Sequence, residues 1–143
     1  MTASAASAAT AAVATAAALG LAAVLGMLHN RRSGTVRETP GTAAPSAADL
    51  GLSTTGPTIV HFTAEWCGPC AAVRRVIRQT CAELPQVAHV EVDLDSNPVA
   101  ARELSVLSLP TTLIFDAAGR QRYRMSGVPT TADLRAALAP LLA

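Results

Sequence analysis

Two cysteines separated by two residues are the part of this sequence best suited to chemistry. Cys67 and Cys70 enclose Gly68 and Pro69, and Trp66 precedes them. They lie between a strand-forming segment and a segment with helical periodicity, where a C-x-x-C motif is typical of a redox site. The unpaired N–H groups and the dipole of a helix N-terminus favour an anion, so we expect Cys67 to be the attacking thiolate. Cys70, one helical turn later, can close a small disulfide ring with it.

Two other uses of the pair stay open at this point, a zinc site and a purely structural disulfide. Zinc needs four ligands, and beyond the pair the chain has only one more cysteine, Cys81, and three histidines. A structural disulfide would not need a position between strand and helix. The spacing of Cys81 from Val73 and Ile77 places it on the inner face of the helix, so we expect it to pack there. An odd number of cysteines argues against a fold held together by disulfides.

The chain around the motif alternates between strand and helix patterns. Thr58–Thr63 is rich in β-branched and aromatic residues and is apolar on both faces, as in a central strand. Residues 70–84 repeat apolar side chains at a helical period. Further patterns predict strands at 87–94, 111–115 and 121–125, and helices that begin at Asn97-Pro98 and at Thr130 or Thr131. This order predicts an α/β fold in which helices flank both sides of a mixed sheet.

Several motifs in this region resemble the thioredoxin family. They are Ala64-Glu65-Trp66-Cys67-Gly68-Pro69-Cys70, Val92-Asp93, Leu109-Pro110-Thr111, and Gly119 and Gly127 at the family's spacing. The resemblance extends over residues 58–142. It implies a thioredoxin-like mixed sheet flanked by helices, with dithiol–disulfide exchange as the activity.

The resemblance also implies a role for each residue of the site. Cys67 would be the nucleophile and Cys70 the resolving thiol. Leu109 and Pro110 would share a cis peptide bond that faces the cysteine pair, and the backbone at Leu109 would pair with an extended substrate. The expected substrate-binding residues are Trp66, Gly68, Pro69, Leu109, Pro110, Gly127 and Val128.

The sequence departs from the family at two places that bear on function. The family's buried Asp is replaced by His61, and the Lys that pairs with it on the next strand is replaced by His89. His61 could act as the proton shuttle for the resolving cysteine, as a third catalytic residue, or it could be a buried neutral side chain that fills space. The family's first strand and first helix have little counterpart between His29 and Gly56, so either the sheet lacks an edge strand or this segment supplies it.

The N-terminal segment has the composition of a membrane anchor. Residues 1–28 carry no charged side chain, and from Ala11 to Leu28 the only polar side chain is Thr15. We therefore expect a transmembrane anchor at 1–28, a linker at 29–56 and a thioredoxin-like domain at 57–143. The arginines that follow the apolar run predict a single-pass protein with its domain on the cytoplasmic face, the extracytoplasmic face being the alternative. A cleaved signal peptide is disfavoured because no Lys or Arg precedes the apolar run. A disordered tail is disfavoured because the segment carries no charged side chain.

Charge and motifs limit the function classes and the partners. A formal net charge of +1 excludes a nucleic-acid binder that works through bulk charge. No motif marks a nucleotide or metal site, so no cofactor is expected. The expected function is a protein-disulfide reductase that receives electrons from a thioredoxin reductase or a membrane thiol carrier. The alternatives are an extracytoplasmic reductase for apocytochrome or secreted-protein disulfides, and a redox-inert binding module on the same fold.

Overall fold

The computed structural model describes residues 3–31, 36–43 and 49–143, and the chain divides into two units, Met1–Arg32 and Ser33–Ala143. The first unit contains one helix, α1 (Ala3–Arg31). Its alanines explain why it is helical, since alanine has the highest helix propensity of all residues.

The expectation of a transmembrane anchor at this helix is wrong. Within the residues that the structure describes, no helix combines the length and the apolar character needed to cross a membrane. The physical reason is that alanine, the most frequent residue of this helix, has a small side chain that contributes little to membrane insertion. We also predicted a single-pass membrane localisation, an orientation in the membrane and the membrane as a partner. These predictions depended on the anchor and are not supported without it.

The second unit is built on a five-stranded mixed sheet. Its strands are β1 (Arg37–Ala43), β2 (Thr58–Thr63), β3 (Ala88–Asp93), β4 (Thr111–Phe115) and β5 (Arg120–Ser126). The spatial order is β1-β5-β4-β2-β3, in which β2 and β3 are parallel and the other neighbouring pairs are antiparallel. The central strand β2 is buried along its whole length, as its apolar pattern predicts. Its C-terminal end leads directly into the cysteine motif.

Strand β1 supplies the edge of the sheet from within the segment that we treated as a linker. It pairs antiparallel with β5, and the register shifts between Glu38 and Thr42. Pro40 lies in this strand, which is compatible with an edge position because one side of an edge strand forms no ladder. Of the two alternatives left open by the sequence, the structure therefore has the one in which the segment completes the sheet.

Helices cover both faces of the sheet and bury two apolar clusters. They are α2 (Cys70–Glu83), α3 (Pro98–Glu103) and α4 (Thr131–Leu138), which a 3₁₀ turn, Ala139–Leu141, extends. Ile59, Ile77 and Leu134 belong to the cluster on the side of α2 and α4. Phe62 and Ala101 belong to the cluster on the side of α3. This packing fixes both ends of the loop between β2 and α2, where the cysteines lie.

Two helix starts show where capping chemistry could be predicted. Thr130 caps α4 in a capping box, since its hydroxyl accepts from the N–H of Asp133 at 3.1 Å and its own N–H donates to that carboxylate at 3.0 Å. Asn97 takes the position before Pro98, but its side chain forms no cap. It donates instead to the carbonyl of Asp93 at 2.9 Å.

Candidate active site

Cys67 and Cys70 form a disulfide in the loop that connects β2 to α2. The Sγ–Sγ distance is 2.00 Å and the Cα–Cα distance is 5.5 Å. The N–H of Cys67 donates to the carbonyl of Ala64 at 3.1 Å, and the N–H of Cys70 donates to the carbonyl of Cys67 at 3.3 Å. Helix α2 begins at Cys70, with Pro69 in the cap position and no side chain capping it. Cys67 therefore precedes the helix, and Cys70 is its first residue.

The two sulfurs differ in their access to solvent. Cys67 is 9% exposed, whereas Cys70 is 1% exposed. The Sγ of Cys70 lies 3.9 Å from the carbonyl oxygen of Phe62, at the end of the central strand. A substrate that approaches from solvent therefore meets Cys67 before it meets Cys70.

Trp66 stands beside the disulfide as a large exposed aromatic side chain, with 67% of its surface accessible. Its indole N–H donates to Oδ2 of Asp95 at 3.2 Å, which ties the ring to the loop after β3. The sequence analysis did not single out Asp95. Its position just after a predicted strand, on the side where β2 also ends, is the only sequence signal for this contact.

One further loop packs against the disulfide, and a second loop is hydrogen-bonded to the first. The Leu109–Pro110 peptide bond is cis, as the resemblance implies. Leu109 packs against the cluster formed by Ala64 and the two cysteines. The carbonyl of Pro110 accepts a hydrogen bond from the N–H of Gly127 at 3.0 Å, so the loop after β5 is held against the loop before β4. Gly127 has a φ of 83°, a conformation that favours glycine.

The residues predicted for substrate binding differ in their exposure to solvent. Val128 is 38% exposed and Leu109 is half-buried. Gly68 and Pro69 are exposed within the cysteine loop, whereas Pro110 is buried. Outside the cysteine loop itself, Leu109 is the predicted residue that packs against the cysteine pair.

His61 lies completely buried on β2, one residue before Phe62. Neither ring nitrogen has a hydrogen-bond partner among the described residues. Burial lowers the pKa of His61 to about 4, and the carboxylate of Glu91 opposes this shift. Its imidazole is stacked with that of His89, with ring centroids 6.3 Å apart. Burial also lowers the pKa of His89.

The strand register gives His61 a partner that the sequence analysis did not identify. We expected His89 to take the place of the family's Lys, but the residue paired with His61 across β2 and β3 is Glu91. Arg74 on α2 donates from Nε to Oε2 of Glu91 at 2.7 Å and from Nη2 to Oε1. This hydrogen bond is the main cause of the lowered pKa of Glu91. The signal in the sequence is the period-two spacing of His89 and Glu91, which places both on one face of β3.

Cys81 takes no part in this site. It is a free thiol, half-buried, and packs against the apolar cluster between the sheet and α4. Burial raises the pKa of its thiol, which makes it a poor nucleophile at neutral pH.

The family profile described as thioredoxin matches residues 48–140. Over 60 residues the chain is 45% identical to a thioredoxin of Chlamydia trachomatis, covering 42% of this chain and 59% of that one. It is 38% identical over 94 residues to a bifunctional thioredoxin reductase/thioredoxin of Mycobacterium leprae, covering 65% of this chain and 20% of that protein. The chain spans about three fifths of the length of the first curated thioredoxins that it matches.

The structure is similar to that of chloroplastic thioredoxin z. The TM-score is 0.57 at 29% sequence identity, and the match covers 68% of this chain and 84% of the other.

Proposed function

Because the chain belongs to the thioredoxin family, we propose that it is a thiol–disulfide oxidoreductase of the reducing type that acts on protein disulfides. The observation that carries this proposal is the Cys67–Cys70 disulfide in the loop before α2. Cys67 is the more accessible of the two cysteines, and Leu109, from the loop with the cis bond, packs against the pair. A redox-inert binding module would have no need for a closed pair at this position.

The proposed reaction proceeds through a mixed disulfide. The Cys67 thiolate attacks one sulfur of the substrate disulfide, so that a bond forms between Cys67 and the substrate while the substrate's S–S bond breaks. The released substrate sulfur takes up a proton. The Cys70 thiolate then attacks the sulfur of Cys67, which re-forms the ring disulfide and releases the second substrate thiol. Two electrons pass from the cysteine pair to the substrate, and the unequal exposure of the two sulfurs supports this assignment.

We propose that His61 is the base that accepts the proton of the Cys70 thiol. Cys70 is nearly inaccessible to solvent, so a base within the protein has to remove its proton before it can attack. His61 adjoins Phe62, whose carbonyl is 3.9 Å from the Cys70 sulfur, and its ring nitrogens form no hydrogen bond with the part of the chain that the structure describes. The proposed role is supported by this location.

We propose that substrates dock on apolar residues near Cys67. Trp66 and Val128 offer exposed apolar surface, and Leu109 lies between the disulfide and the start of β4. Leu109 precedes the hydrogen-bonded register of β4, so its backbone is placed to pair with an extended substrate segment. The complete proposed set is Trp66, Gly68, Pro69, Leu109, Pro110, Gly127 and Val128.

The oxidised pair needs a reductant before the next cycle. The M. leprae relative is named for both a thioredoxin reductase and a thioredoxin. We propose a separate thioredoxin reductase as the electron donor of this chain. The proposed catalytic domain is residues 57–143, and β1 from the preceding segment, 29–56, completes its sheet.

Reduction of insulin disulfides, with dithiothreitol as the electron source, tests the proposal. Cys67→Ser should abolish the reaction. Cys70→Ser, reduced in advance and mixed with insulin after removal of the dithiothreitol, should accumulate mixed disulfides with substrate, because the second attack cannot occur. Cys81→Ser is the matched control and should keep wild-type rates, since this thiol packs away from the site. Trapping by Cys67→Ser instead of Cys70→Ser would reverse the two roles, and an inactive wild-type protein would favour a binding module.

A further inference from the structure

Three side chains with metal-binding atoms converge between the sheet and α2. They are His61 on β2 and His89 and Glu91 on β3, called here the His-His-Glu cluster. One ligand atom from each lies within 4.8 Å of the others. The register of the parallel strands creates this convergence, since Glu91 pairs with His61 and His89 pairs with Ile59 on the same face.

The histidines of the cluster lack the hydrogen bonds that buried polar groups normally have. Both ring nitrogens of His61 and Nε2 of His89 are buried without a partner among the described residues. His61 is also fully enclosed. Because buried polar atoms are nearly always paired, and each neutral imidazole has one nitrogen with a lone pair, the two unpaired rings next to a carboxylate point to a bound ligand that accepts lone pairs.

We propose that the His-His-Glu cluster binds one divalent transition-metal ion, with Zn²⁺ as the best match. Two imidazole nitrogens and one carboxylate oxygen are a ligand set that Zn²⁺ uses, with a fourth position left to solvent or another ligand. Zinc–ligand bonds of about 2.0–2.2 Å hold tetrahedral ligand atoms about 3.4 Å apart. The three atoms now lie within 4.8 Å of one another, so side-chain rotations have to bring them closer for an ion to bind.

The surroundings of the cluster are compatible with an ion. Arg74 occupies one lone pair on each oxygen of Glu91, and a carboxylate has about four such positions, so about two remain and a metal can take one of them. Arg74 would orient the carboxylate as outer-sphere partners of metal ligands do, although its charge reduces the affinity. Glu91 is the most exposed member, so an ion can enter from its side.

The inference goes beyond the proposed reductase function, and the two proposals share one residue, His61. If His61 holds an ion, its lone pair is no longer available to take the proton of Cys70. The ion would then slow the reaction rather than support it. Binding can be measured without turnover, so a failure of the reductase proposal and a failure of this one are distinguishable.

The test uses the full chain, oxidised and carrying Cys81→Ser, so that no thiol can bind a metal. Co²⁺ titrated at pH 7 should give visible absorption typical of low coordination number and saturate at one ion per chain. Added Zn²⁺ should displace it, and both ions should raise the melting temperature. His89→Gln and Glu91→Gln should each weaken binding by about tenfold or more. Glu91→Gln keeps an oxygen that can accept a hydrogen bond from Arg74, and residue 91 is exposed, so this variant should fold.

Matched controls separate the cluster from the rest of the chain. His29→Gln removes the third histidine, and Glu103→Gln removes an exposed carboxylate elsewhere. Both should bind Co²⁺ as the parent does. The proposal is overturned if the parent shows no saturable binding, or if His89→Gln and Glu91→Gln bind as tightly as the controls while their near-UV spectra show a folded protein.

Discussion

Replacing His61 with leucine should stabilise the fold and at the same time slow disulfide reduction. The imidazole is fully buried, and neither of its nitrogens is paired with a protein group among the described residues. Each buried polar atom without a partner costs about 1–3 kcal/mol. Leucine has nearly the same volume and no polar atoms, but its different shape costs about 1–3 kcal/mol in a packed core. The net expectation is a gain of about 1–3 kcal/mol in the free energy of unfolding.

Urea unfolding of the oxidised protein, with a chelator present to remove metal ions, measures this gain. A gain of 1 kcal/mol corresponds to a rise of about 4 °C in melting temperature for a domain of this size. The rate of insulin reduction should fall by about 100-fold or more, because a positioned acid–base group contributes about that much.

Thr112→Val is the matched control for this experiment. Thr112 faces His61 across β2 and β4, and its hydroxyl is also buried without a partner among the described residues. The substitution should raise stability by about 1 kcal/mol and leave the reduction rate unchanged. If His61→Leu instead destabilised the protein, the imidazole would have to form a hydrogen bond in solution. If it stabilised the protein at an unchanged rate, His61 would have no part in proton transfer.

Three further substitutions test the packing that holds the site. Burial disfavours the charged form of Asp116, but hydrogen bonds from Arg120 and Arg122 outweigh this and hold its pKa below the usual range. Asp116→Asn should cost about 1.5–3 kcal/mol at pH 7. Because the folded-state pKa is depressed, that difference should be full above about pH 4 and vanish as the pH falls further; a pH-independent difference in urea midpoints would contradict it. Thr130→Ala removes the capping hydroxyl of α4 and should cost about 1 kcal/mol by urea unfolding, with Thr130→Ser as the control that keeps it. Leu134→Ala opens a cavity where α4 packs on the core and should lower the free energy of unfolding by about 2–5 kcal/mol. A loss below about 1 kcal/mol would show that neighbouring side chains fill the cavity.

Local patterns in the sequence determined much of the second unit. Thr58–Thr63 and Thr111–Phe115 form strands with the predicted bounds, because β-branched and aromatic residues apolar on both faces suit buried central strands. The cysteine motif lies between strand and helix because chain order alone places it there. Thr130 caps its helix through contacts only three residues apart, so a local pattern was enough to predict it.

The tertiary structure decided what depended on residues far apart in the chain. Strand β1 contains Pro40 and lacks an alternating pattern, and it is a strand because the edge of β5 offers a pairing surface. The uncharged composition of the first segment predicted a membrane span, but no helix among the described residues is long and apolar enough to cross a membrane. The environment of His61 was the largest omission. Its neighbours Glu91 and Arg74 come from another strand and from a helix, and only the strand register and the packing of α2 place them beside it.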